Sequence, residues 1–226
     1  TLIAGLNFKP PSQTAQYCLT NRQVRYFAES GNRFDPVSSR VIRFRIAGDQ
    51  GFLEASSVRL QFTLTNLKSD ATLTPNSQCL SLFRRARLFC SSQLVEDITE
   101  LSTQATITNR LQPINRKMND SILGHPLTDT LSDSYVAIGQ SASRRLITSL
   151  PFGVLSQEKW LPCHLIAGGI VLELELNDAD TTFAESSCEW QLTDVSLLAN
   201  LHEIDSSLAN SYVNHVLKGN PLHLHY

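Results

Sequence analysis

The sequence predicts an all-β fold, an antiparallel jelly-roll sandwich with one or two short helices in long loops and a helix at the C-terminal end. Three observations predict it. Val58-Arg59-Leu60-Gln61-Phe62-Thr63-Leu64-Thr65 alternates apolar and polar residues, so Val58, Leu60, Phe62 and Leu64 share one face of an extended chain. Ile170 to Leu176 repeats the pattern, with Leu172, Leu174 and Leu176 on one side and Glu173 and Glu175 on the other. Turn signals punctuate the chain at Gly31-Asn32, Gly48-Asp49-Gln50-Gly51, Ser69-Asp70, Gly168-Gly169 and Asn177-Asp178.

The remaining elements follow in chain order. Val41 to Ile46 alternates apolar and basic residues, and Leu82–Phe89, Tyr135–Ile138 and Arg145–Thr148 are shorter strand candidates. Val95 to Asn119 is polar, with Ile98, Leu101, Ile107 and Leu111 at loosely helical spacing. Trp190, Leu192, Val195 and Leu197 mark another strand, and the change of phase predicts a bulge near Asp194. Asp205 to Leu217 reads as a helix capped by Asp205, with Leu208, Tyr212, His215 and Val216 recurring and Gly219 and Pro221 ending it. The expected core is Phe62, Leu64, Leu172, Leu174, Trp190 and Leu192. The wide gap between Phe89 and Val136 argues against a meander and suits a jelly roll with one elaborated loop. The organisation expected is 1–39 as an N-terminal arm and first strand, 40–203 as the jelly roll, and 204–226 as a C-terminal helix and linker.

Composition narrows the function. Apolar residues make up 42% of the 226 and charged residues 18%, which is globular rather than disordered. A net charge of −2 is not the balance of a polyanion binder. The charge is uneven: residues 1–90 hold 12 Lys/Arg against 5 Asp/Glu, and residues 91–226 hold 7 against 16. Either the two halves offer complementary subunit contacts, or their strands interleave and the fields cancel; the second is the simpler expectation. The five cysteines, Cys18, Cys79, Cys90, Cys163 and Cys188, form no CxxC pair, so buried free thiols are expected rather than a zinc or redox motif. The most apolar stretch, Leu161 to Leu176, is broken by His164, Glu173 and Glu175 and predicts no membrane span. The chain begins at Thr1 rather than Met and reads as a possible fragment.

Candidate chemistry is sparse. Glu173 and Glu175 lie on one strand face, about 7 Å apart at Cα. Some glycosidases work with such a carboxylate pair, but the solvated face of an alternating strand is the simpler reading. The histidines are His125, His164, His202, His215, His223 and His225. His223-Leu224-His225 has metal-ligand spacing, but only Tyr226 follows it. Ser38-Ser39 and Ser91-Ser92 are loop serines, and Arg84-Arg85-Ala86-Arg87 is a basic cluster that suits a strand edge better than a phosphate. No nucleophile elbow, P-loop or dinucleotide fingerprint occurs. The expectation is a non-enzyme with no catalytic, cofactor-binding or metal residue.

Three stretches resemble the first jelly roll of the double jelly-roll major capsid proteins of nucleocytoplasmic large DNA viruses and polinton-like viruses. They are Gly51-Phe52-Leu53-Glu54 running into Val58–Asn66; Phe83–Phe89 followed by Leu94-Val95-Glu96-Asp97-Ile98; and Leu150-Pro151-Phe152-Gly153-Val154 through Pro162, followed by the Leu-Glu-Leu-Glu-Leu strand. The family's turn before the Val-Glu-Asp segment often carries glycines, whereas Cys90-Ser91-Ser92 fills it here. The resemblance implies a structural shell protein located in the virion and assembled inside the host cell. It implies a homotrimeric capsomer in an icosahedral lattice, with itself and other capsid proteins as partners. It implies no cofactor, no specific nucleic acid and no small-molecule substrate. A complete member would need a second jelly roll after Tyr226. The alternatives are a carbohydrate-binding or carbohydrate-cleaving β-sandwich, or a β-sandwich interaction module of host origin.

Overall fold

The computed structural model describes residues 18–47, 51–120, 124–127, 135–185 and 187–219. Eleven strands are present among them: β1 (Cys18–Phe27), β2 (Arg33–Phe34), β3 (Val41–Ile46), β4 (Phe52–Glu54), β5 (Arg59–Asn66), β6 (Phe83–Cys90), β7 (Gln93–Ile98), β8 (Ser143–Ser149), β9 (Trp160–Leu161), β10 (Ile170–Leu176) and β11 (Trp190–Ile204). Three helices join them: α1 (Leu101–Leu111), α2 (Ile114–Asp120) and α3 (Ser206–Leu217).

The pairing shows how the chain is wound. β1 pairs β11, β3 pairs β10, β5 pairs β8, and β6 pairs β7, all antiparallel. First therefore meets last, and each step inward pairs the next two, down to the β6–β7 hairpin. The chain is one long hairpin, rolled so that β5 also pairs β11 and β6 also pairs β10. β2 and β4 extend the neighbours of β11, and β9 adds to β4. Two sheets result, one ordered β8-β5-β11 with β1, β2, β4 and β9 attached, the other β3-β10-β6-β7. That is a jelly roll.

Alternation explains why these residues form two facing sheets. Ile42, Phe44 and Ile46 of β3, Leu60, Phe62 and Leu64 of β5, and Leu172, Leu174 and Leu176 of β10 are wholly buried. Trp190 and Leu192 join them, so the expected core is observed. Phe62 and Phe83 meet edge to face at 5.8 Å, one from each sheet. The bulge predicted near Asp194 is there: Asp194 has φ +52°, and the register with β5 shifts between Thr193 and Ser196. Beyond it β11 runs on to Ile204, farther than the sequence pattern suggested. Gly169, just before β10, has φ +73°, and a Cβ there would lie 2.7 Å from the Ile46 carbonyl oxygen, so the position requires glycine.

Two expectations are corrected. The segment Val95–Ile98 is strand, not helix, because it pairs antiparallel with β6 across the Ser91-Ser92 turn. The helix begins only at Leu101, after Glu100 in a left-handed conformation with φ +54°. Tyr135–Ile138 is not a strand; Tyr135 and Ile138 make isolated bridges to Leu127 and Leu73. Gly48, Asp49, Gln50, Pro221, His223 and His225 lie outside the described residues.

Candidate assembly surfaces

The outward face of the β3-β10-β6-β7 sheet carries crossed charges. Glu173 sits in register between Arg43 and Arg87, and Glu175 faces Arg85. The Arg87 guanidinium donates to the Glu173 carboxylate. Arg85 donates twice to Asp97, at 2.9 and 2.6 Å, and that bond holds the Asp97 carboxyl below its usual range. The Glu173/Glu175 pair thus points outward as expected, but Glu173 is ion-paired, its side chain only 16% exposed, rather than solvated. Arg40, Arg85 and Arg87 from the basic half meet Asp178, Asp97 and Glu173 from the acidic half. Part of the charge asymmetry along the chain is therefore folded into ion pairs between the two halves, weak where water screens them.

At one edge of this sheet, two of the stretches that carry the family resemblance touch. Glu96 of β7 accepts hydrogen bonds from the backbone N–H groups of Gly153 and Val154, at 2.8 and 2.7 Å. Phe152, Val154 and Leu155 are buried beneath that contact. Sequence alone gave no sign that the Val-Glu-Asp segment clamps the Pro-Phe-Gly-Val loop.

The excursion after β7 buries polar groups. α1 seats Leu101 and Ala105 on the core and leaves Ile107 and Leu111 exposed. The Asn109 amide donates to the Tyr135 hydroxyl. His125 is buried against Tyr135, 6.3 Å between ring centres, and neither ring nitrogen has a partner among the described residues. Burial drives the His125 imidazole down to about 3, with the Arg144 charge adding to the effect. Arg144 itself donates to the carbonyls of Val136 and Ala137 at 2.8 and 3.2 Å, tying the returning chain to β8.

α3 stands apart. The Asp205 carboxylate caps it, accepting from the Ser207 N–H at 2.9 Å, and Gly219 follows it at φ +79°. No residue of α3 is buried. Tyr212 meets Phe52 edge to face at 5.7 Å, and a groove of about 280 Å³ runs between the helix, β4 and the end of β11.

The other candidate residues are dispersed. His164 Nδ1 lies 3.3 Å from the Gly51 carbonyl, His215 lies on α3, and Ser38 donates to Asp35. Among the described residues no cluster could hold a metal ion. One group escaped the sequence reading because its members lie far apart in the chain: Cys18, Glu54, Trp160 and His202 come together around the His202 ring.

With the topology and these surfaces in place, the solved structures give a consistent answer. The chain matches the Sputnik virophage structure with TM-score 0.54 and 10% identity, covering 91% of this chain and 52% of that one. It matches VP54 of PBCV-1, fitted into a reconstruction of Sputnik, with TM-score 0.52 and 10% identity over 91% of this chain and 47% of that one. A model of the PBCV-1 virus capsid gives 0.51 and 12%, again over 91% and 47%. The likeness is one of fold. The chain spans about half the length of each of these structures. No protein-family model and no curated protein matches the sequence.

Proposed function

We propose that this chain is a structural viral shell protein, one jelly roll of a major capsid protein located in the virion. The observation that carries the reading is the rolled-hairpin topology, shared over nine-tenths of the chain with a virus capsid and a virophage structure. The three resembling motifs lie in order along the same fold, and two of them bind each other through Glu96. The role is burial and edge pairing, and the shell function itself calls for no catalysis, cofactor, specific nucleic acid or small-molecule substrate. Residues 40–203 form the body of the jelly roll, the arm 1–39 supplies its first strand β1 against β11, and 204–226, containing α3, lead toward a second one. Two such jelly rolls form a protomer, three protomers form a capsomer, and capsomers tile an icosahedral shell with other capsid proteins. A carbohydrate-cleaving sandwich is the weaker reading, since Glu173 of the carboxylate pair is engaged by Arg87.

Permanent interfaces of this kind often exceed about 2,000 Å². The isolated chain, with Leu217 and Leu111 exposed, should self-associate, and the chain extended by its downstream sequence should sediment as a trimer. A monomer at high concentration, unchanged by the extension, would count decisively against the shell role.

A further inference from the structure

The five cysteines fall into two chemical groups. Burial pushes the Cys79 thiol up to about 11 and the Cys163 thiol up to about 12. Burial also raises Cys90 and Cys188, with neighbouring carboxylates adding to both. These four are held as inert thiols at neutral pH. Cys18, at the start of β1, is different. It is half-buried, and its Sγ lies 3.6 Å from Nδ1 of His202 on the paired strand β11.

The rest of the group determines what His202 can do. Its Nε2 lies 3.3 Å from Oε2 of Glu54, which also accepts from the Asn200 amide at 2.9 Å. The Asn200 bond, then His202 itself and the Arg59 charge, hold the Glu54 carboxyl below its usual range. A carboxylate only accepts, so Nε2 carries the ring proton and Nδ1 presents its lone pair to the Cys18 sulfur. Trp160 lies flat on the imidazole, 4.0 Å away with 2° between planes, and fixes its orientation. The Thr20 carbonyl, 3.5 Å from the sulfur, competes for the thiol hydrogen bond but cannot take the proton. A thiol, an imidazole and a carboxylate in sequence form the arrangement that activates a sulfur nucleophile.

We propose that Cys18 is a thiol–disulfide exchange site for small-molecule disulfides, with His202 as general base and Glu54 as its positioning residue. The Cys18 S–H proton passes to His202 Nδ1 as the sulfur attacks one sulfur of the disulfide. A bond forms between Cys18 and that sulfur, and the original S–S bond breaks. The departing thiolate takes the proton back from the imidazolium, leaving a mixed disulfide on Cys18 and one free thiol. The disulfide is the oxidant, and no other reagent enters.

Oxidised glutathione is the probe, with intact mass giving the rate and peptide mapping the position. Cys18 should be modified first, with one glutathione per chain. Its rate at neutral pH should exceed that of every other cysteine, because a base within reach of the sulfur assists the attack. Equal rates at Cys18 and Cys90 at neutral pH overturn the proposal. So does modification of Cys90 ahead of Cys18. His202→Gln should slow the reaction at least about tenfold near pH 7 and far less in strong alkali, where hydroxide takes the proton in place of the imidazole. Glu54→Gln, which alters only a carboxylate, should lower the neutral-pH rate in the same direction. Equal rates for wild type and both variants at neutral pH also overturn the proposal.

Discussion

Strand β10 and the excursion between Leu101 and Arg144 are both packed against the same sandwich, but β10 buries apolar residues alone while the excursion buries polar ones beside its apolar ones. β10 places Leu172, Leu174 and Leu176 wholly between the sheets. The excursion buries Asn109, Lys117 and His125. Apolar burial is stabilising in proportion to area and does not respond to pH. Burial of a titratable ring without a hydrogen-bond partner is stable only while the ring stays neutral. The two regions should therefore fail under different stresses.

The largest effect should come from the strand. Leu174→Ala removes a side chain wholly enclosed between β3 and β6 and should cost about 2–5 kcal/mol in urea unfolding. Leu111→Ala, on an α1 position 81% exposed, should change stability by less than about 0.5 kcal/mol. Comparable losses at the two sites would mean that Leu111 is covered in the assembled state of the protein.

The difference in burial also sets what could be read from sequence. Alternation places every second residue of β3, β5 and β10 on one face, so Phe62 and Leu174 were legible as core from type and spacing alone. The bulge at Asp194 was legible too, because the apolar phase slips between Leu192 and Val195. Chain winding was only partly legible: a wide gap excluded a meander, but pairing of β1 with β11 depends on contacts between distant residues. The excursion was misread because Val95 and Ile98 fit a weak helical spacing while pairing with β6 makes the segment strand. The Cys18–Glu54–His202 group left no local signal, since each member sits on a different strand.

Acid should separate the regions next. The folded-state pKa of His125, driven to about 3, lies below its ordinary 6.5. Its contribution is intact above about pH 6.5 and is lost as pH falls from there toward about 3. At about pH 5 the loss should be about 2 kcal/mol. Hydrogen exchange should show residues 101–144 opening before β10. His125→Phe, which keeps the ring and removes the titration, should abolish that acid step while leaving the Leu174→Ala penalty in place. An unchanged acid step in His125→Phe would assign it to another group.

The Glu96 clamp lies outside both regions, between β7 and the loop after β8. Glu96→Ala leaves the N–H groups of Gly153 and Val154 without their acceptor and should cost about 1–2 kcal/mol. Glu96→Gln keeps one acceptor oxygen and should recover part of the loss. If the carboxylate serves only as a surface charge, the two variants will melt at the same temperature as wild type.

The smallest effect should be a gain, at the tip of the rolled hairpin. Ser91 and Ser92 join β6 to β7 with φ +49° and +66°, both in the left-handed region. A two-residue hairpin turn with both central residues there is of type I′, whose preferred sequence is Asn-Gly because glycine has no Cβ to clash and asparagine tolerates the region. Serine has neither advantage, so the turn is formed by the pairing of β6 with β7 rather than by its own residues. Ser91→Asn with Ser92→Gly should therefore stabilise the protein by about 0.5–1 kcal/mol, less than the relief of strain alone because glycine also loosens the unfolded chain. Ser92→Val should do the reverse, since a β-branched residue is disfavoured at positive φ. Denaturation midpoints of the two variants, moving apart on either side of wild type, are the expected result. If both variants lose stability, the serine hydroxyls contribute something at the tip that a bare I′ turn lacks, and the β6–β7 hairpin is then defined by that contact rather than by strand pairing.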